Sequence, residues 1–167
     1  KGVREITLAG NRSPVERRYS DSQGSVASAL AQPGVPPSLL ELELTESALM
    51  THENEAVEIL SALRKYGIRL AIDDFGTGYS SLAYLKRFPL DVLKIDKSFV
   101  DDIPHKKDDM EIAAAIVAMA HTLRLKVLAE GVETEEQLTF LKEQGCDCYQ
   151  GYLMSPPVPA DQFEQLL

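Results

Sequence analysis

Six short β-rich runs, each ending on or beside a polar residue, recur along the chain with helical stretches between them. The runs are Arg4–Ala9, Leu40–Leu44, Ile68–Asp73, Val92–Asp96, Lys126–Glu130 and Cys148–Leu153. In Glu55–Tyr66, the residues Ala56, Ile59, Leu60 and Leu63 share one helical face. Met110–Leu123 is apolar nearly all round, which predicts a well-buried helix. Thr134–Gln137 reads as a capping box for a helix through Gln144, stopped by Gly145, and Pro159–Leu167 as a last short helix. Arg12–Pro37 predicts loop, apart from one short helix over Val26–Ala31.

This alternation requires parallel strands joined by right-handed crossovers. The expected fold class is α/β, a (β/α)8 TIM-like barrel. A closed eight-unit ring takes about 250 residues, whereas this sequence has 167. About the first two βα units are therefore expected to be missing before Lys1, and residues 1–167 to form a single, N-terminally incomplete barrel domain.

Parity along the strands points to a site. Strand side chains alternate between faces, so Glu43 shares a face with Glu41, opposite Leu40, Leu42 and Leu44. Asp73 shares one with Ala71 and Arg69, Lys94 with Val92, and Glu130 with Leu128 and Lys126. If these faces line the barrel, Asn11, Glu43, Asp73, Lys94, Glu130 and Gln150 converge at the carboxyl-end mouth, where such barrels keep their active sites. Glu41, Arg69 and Lys126 are expected deeper, neutralising one another.

Three carboxylates in a partly dry mouth repel one another, and divalent cations relieve the repulsion. Oxygen donors without cysteine or suitably spaced histidine favour Mg²⁺ or Mn²⁺ over zinc. Asp74 supplies a carboxylate next to Asp73, so two ions can share the pair, an arrangement suited to in-line attack on a phosphodiester.

Composition narrows the partners. With 17 Lys and Arg against 26 Asp and Glu, the net charge is −9, which disfavours duplex nucleic acid. No apolar run reaches the ~20 residues of a membrane span, so no membrane contact by this domain is expected and the domain reads as cytoplasmic; the full-length protein can still be membrane-anchored. Cys146 and Cys148, one residue apart, read as buried free thiols. His52, His105 and His121 lack metal-ligand spacing. An aromatic patch of Tyr79, Tyr84 and Phe88 would suit a dimer interface.

Five segments in order, Glu41–Ser47 (ELELTES), Asp73–Ser81 (DDFGTGYSS), Leu93–Asp96 (LKID), Ala129–Glu133 (AEGVE) and Gln150–Tyr152 (QGY), resemble the motifs of the EAL cyclic di-GMP phosphodiesterases. The resemblance runs from about Asn11 to Leu167. The Glu-Ala-Leu segment that names the family is absent, and with it one metal-binding glutamate and a substrate-contacting arginine.

The resemblance implies metal-dependent hydrolysis of cyclic di-GMP to linear pGpG. It implies that Asn11, Glu43, Asp73, Asp74 and Glu130 are metal ligands for two Mg²⁺ or Mn²⁺ ions. Lys94 would orient and help activate the attacking water, and Gln150 would hold that water or the metals. Glu46 would anchor the Asp74–Ser81 loop, which couples dimerisation to metal binding. Glu133 would support the ligands or contact a guanine of the substrate, and Asp96 would likewise be a substrate contact or a support. A homodimer through that loop and the following helix is implied, as is an N-terminal sensory or GGDEF-type domain in the full protein. The rival reading is a catalytically inactive cyclic di-GMP receptor or signalling module. A further rival is an unrelated metal-assisted barrel enzyme such as a lyase, which leaves Glu46 and the double-aspartate loop unexplained.

Overall fold

The computed structural model describes residues 7–12, 36–51, 53–77 and 82–166. Six strands form one sheet in chain order, every neighbouring pair parallel. They are β1 (Leu8–Arg12), β2 (Leu40–Thr45), β3 (Arg69–Phe75), β4 (Val92–Ile95), β5 (Lys126–Ala129) and β6 (Cys148–Tyr149). The helices are α1 (Glu46–Thr51), α2 (Glu53–Arg64), α3 (Leu82–Leu85), α4 (Lys107–Thr122), α5 (Glu135–Glu143) and α6 (Ala160–Phe163). Strands and helices together make a parallel, curled half-barrel of the expected α/β class.

Local chemistry accounts for the elements. The α2 residues Ala56, Ile59, Leu60 and Leu63 are buried as their spacing requires, against Leu70, Ile72, Leu93 and Ile95 of the core. Thr134 caps α5 through the Gln137 backbone N–H, and the Gln137 side chain returns to the Thr134 N–H. Gly145 follows α5 with φ +87°, a conformation that costs glycine little.

Several expectations change. The first strand runs Leu8–Arg12 rather than Arg4–Ala9 among the described residues. The last is only Cys148–Tyr149, and just beyond it the chain passes so close to Val132 that a Cβ on Gly151 would lie 2.1 Å from the Val132 oxygen. In α4 one face is buried (Ala113, Ile116, Val117, Ala120), while Ile112, Ala115 and Ala118 are exposed. The near-continuous apolar run hid an ordinary two-faced helix. Phe88 is buried in the core, so it does not belong to an exposed aromatic patch. Cys146 and Cys148 are free as expected but not buried, Cys146 being half-buried and Cys148 exposed. Val26–Ala31, Tyr79 and His52 lie outside the described residues. No helix among the described residues is long and apolar enough to cross a membrane.

Candidate metal centre

Register sets the site. Asn11 is opposite Glu43, Glu43 opposite Ala71, Ala71 opposite Val92, and Lys94 opposite Leu128. Strand alternation therefore puts Glu43, Asp73 and Lys94 on one face of the sheet, with Glu130 one residue beyond β5. The expected convergence follows: Lys94 Nζ lies 2.8 Å from Glu43 Oε1, 2.9 Å from Asp73 Oδ1 and 2.7 Å from Glu130 Oε1. The Lys94 side chain is only 3% exposed. Gln150 Nε2 donates to Glu130 Oε1 at 2.7 Å, which brings in the strand after β5.

Asp73 and Asp74 are neighbours, and in a regular strand one of them would face the helices. The register between β3 and β4 shifts between Ile72 and Phe75, so three steps on β3 span two steps on β4. Asp74 takes the extra position with φ +55°, in the left-handed region that aspartate tolerates better than most residues. This bulge re-aims its side chain. Carboxylate oxygens of Asp73, Asp74 and Glu130 all lie within 4.8 Å of one another, close enough to share a cation. The all-oxygen donor set fits Mg²⁺ or Mn²⁺.

The electrostatics show strain that one lysine does not relieve. Burial raises the Glu130 pKa, and the hydrogen bond from Lys94 only partly opposes it. Burial, then the neighbouring Asp73 charge, raises that of Asp74. Burial works against the Lys94 ammonium, but hydrogen bonds to Glu130, Glu43 and Asp73 outweigh it and hold the pKa above its ordinary value. Lys94 is thus a fixed cation, a hydrogen-bond donor with no lone pair to accept a proton.

Glu46, the first residue of α1, is buried, and its Oε2 accepts the Gly76 N–H at 3.1 Å. It therefore holds the start of the loop that follows the aspartate pair. The Asp96 carboxylate accepts from Ser98 N at 3.0 Å and from Ser98 Oγ, capping the 3-10 turn Lys97–Phe99, and its charge adds to those that raise the Asp74 pKa. Glu133 binds Lys97 Nζ at 2.6 Å instead of joining the acidic cluster. The lumenal trio expected from parity reduces to a pair, Arg69 Nε to Glu41 Oε2 at 3.5 Å. Lys126, the first residue of β5, is exposed and takes no part in that pair.

Comparison with known proteins agrees with this geometry. The EAL domain family model matches residues 6–157. The cyclic di-GMP phosphodiesterase NbdA of Pseudomonas aeruginosa is 56% identical over 142 residues, covering 85% of this chain and 18% of that protein. MucR of the same organism, a bifunctional diguanylate cyclase/cyclic di-GMP phosphodiesterase, is 45% identical over 161 residues, covering 96% of this chain and 24% of its own length. The chain thus spans a quarter or less of either relative. A solved c-di-GMP complex of the PaMucR phosphodiesterase superposes with TM-score 0.90 at 46% identity, over 94% of this chain and 64% of that one. A manganese and c-di-GMP complex of Klebsiella pneumoniae BlrP1 gives 0.80 at 37%, over 90% and 39%. A sheet that gathers its acids on one lysine, in a sequence matched along most of its length by this model and these relatives, makes the chain a member of the EAL domain family.

Proposed function

We propose that this chain carries the metal-dependent hydrolysis of cyclic di-GMP to linear pGpG. One observation carries the reading: two buried carboxylates, Glu43 and Asp73, and the half-buried Glu130 converge on a single lysine, with a fourth supplied by the bulge at Asp74. Four carboxylates and one ammonium leave a formal charge of −3. Two divalent ions would turn this into +1, a centre that attracts a phosphodiester rather than repelling it.

In this reading Glu43, Asp73, Asp74 and Glu130, with Asn11, hold two Mg²⁺ or Mn²⁺ ions. Such ions stabilise the attacking and leaving oxygens of an in-line displacement. Lys94 stays protonated and orients the attacking water by donating a hydrogen bond. Gln150 fixes the Glu130 carboxylate and helps hold that water. Glu46 anchors the Asp74–Ser81 loop, and a homodimer through this loop and the following helix would couple assembly to metal binding. Glu133 and Asp96 support the substrate side. An N-terminal sensory or GGDEF-type domain in the full protein, a cytoplasmic setting and a single barrel-type domain over residues 1–167 belong to the same proposal. The multidomain proportions of the relatives support it, since each is several times longer than the matched region.

The test is product analysis of the full protein with cyclic di-GMP and Mg²⁺ or Mn²⁺. Formation of pGpG that EDTA abolishes, and that Asp73→Asn lacks, is expected. Tight binding without turnover would favour the receptor reading instead.

A further inference from the structure

Gln137 lies in the first turn of α5, yet its side chain is buried. The capping box explains only half of its contacts. Its Oε1 accepts the N–H groups of Glu133 at 2.7 Å and Thr134 at 3.0 Å. Its Nε2 donates across the fold, to Val100 O at 3.1 Å and Asp101 O at 3.4 Å. Two N–H groups at one end and two carbonyls at the other fix the orientation of the amide. Glutamate serves a capping box as well as glutamine does. A carboxylate cannot donate, so the two carbonyls are what call for glutamine here.

These bonds join the segments that follow β4 and β5. Val100 closes the 3-10 turn Lys97–Phe99 after β4, and Glu133 stands just beyond the strand end that carries Glu130. On its β6 side that segment is tied by backbone bonds, Val132 N to Gln150 O and Leu153 N to Val132 O, each at 3.0 Å. On its β4 side the backbone offers Glu130 N to Ile95 O at 3.1 Å. The Lys97–Glu133 pair on that side is open to water and adds little. Gln137 supplies the buried side-chain tie. The turn it grips also backs the other acids: a Cβ on Gly76, two residues after Asp74, would meet Phe99 Cε2 at 2.8 Å.

We propose that Gln137 is a positioning residue for the metal centre. Through Val100 and Asp101 it holds the Glu130 segment in place against the turn that supports the Asp74 loop. Carboxylate oxygens of Asp73, Asp74 and Glu130 lie within 4.8 Å of one another, and ligand groups out of place by more than about 0.5 Å bind poorly. The inference rests on the reading of these acids as a metal site.

The test is calorimetric titration of the full protein with Mn²⁺ alone. Gln137→Glu keeps both acceptor bonds of the cap and loses the two donor bonds. Its Mn²⁺ affinity should fall about tenfold, the lower end for groups that orient metal ligands. Thr134→Ala removes the hydroxyl that accepts the Gln137 backbone N–H at 3.2 Å and leaves the bonds to Val100 and Asp101 in place. It should lower the melting temperature yet bind Mn²⁺ as wild type does. Gln137→Met buries no charge and serves if the glutamate variant does not fold; its affinity should fall by the same order. Wild-type affinity in a folded Gln137→Glu or Gln137→Met variant, an equal loss in Thr134→Ala, or no Mn²⁺ binding by wild type would overturn the proposal. The expected Mn²⁺ affinities without pGpG formation by wild type would overturn the phosphodiesterase reading and leave the positioning role standing.

Discussion

Gln150 Nε2 donates to the same Glu130 oxygen, Oε1, that receives Lys94 Nζ, each at 2.7 Å. One carboxylate oxygen is thereby fixed from β4 and from the residue that follows β6. Groups that orient a metal ligand in this way are typically worth about 10–100-fold in metal affinity or activity. Gln150→Ala is expected to lose that much, measured as kcat and as Mn²⁺ affinity, with the fold unchanged by circular dichroism.

Removing Lys94 leaves the buried Glu43 and Asp73 and the half-buried Glu130 together without their cation. Breaking a buried ion cluster by deleting one partner costs about 3–5 kcal/mol. Lys94→Met should be destabilised by that order in metal-free urea denaturation. Excess Mn²⁺ should shrink the deficit, because the ions replace the lost positive charge. Activity should stay lost, since no donor remains to orient water.

Much of this site was legible from parity. Glu43, Asp73, Lys94 and Glu130 sit at equivalent strand ends, and a period of two leaves little choice about which way they face. Parity failed where register mattered more. Lys126 has the right parity but stands exposed at the start of β5, while Glu41 pairs with Arg69 alone among the described residues. The capping bond of Asp96 to Ser98 is a local contact that strand parity does not encode. The bulge at Asp74 is set by how β3 pairs with β4, so no reading of β3 alone reveals it. The burial of Phe88 likewise depends on tertiary contacts that periodicity does not encode.

The left-handed backbone at Asp74 separates charge from conformation. Asparagine tolerates φ near +55° about as well as aspartate, whereas alanine there costs about 1–2 kcal/mol. Asp74→Asn should therefore keep wild-type stability while losing metal affinity. Asp74→Ala should lose both. Thermal denaturation together with Mn²⁺ titration separates the two effects.

Glu130 and Asp74 both have raised pKa values, from ordinary values of 4.5 and 3.8. A raised acid takes up its proton at higher pH than usual, and protons compete with metal for the same oxygens. Apparent Mn²⁺ affinity should fall as pH is lowered towards these raised values, beginning at a higher pH than for an unperturbed carboxylate site. In the metal-free protein the sign reverses for stability. These two acids are less costly to bury when protonated, so their share of stability grows as pH falls through the same range. Lys94 contributes oppositely, its stabilisation being complete below the ordinary lysine value of 10.5 and lost as pH rises through its raised folded value.

The central claim is that acids from separate strands hold a pair of ions, and anomalous diffraction from crystals grown with Mn²⁺ tests it most directly. Two peaks about 3.5–4 Å apart, within coordination distance of Glu43, Asp73, Asp74 and Glu130, are the predicted result. No peak at those side chains, with manganese found elsewhere on the molecule, would contradict it.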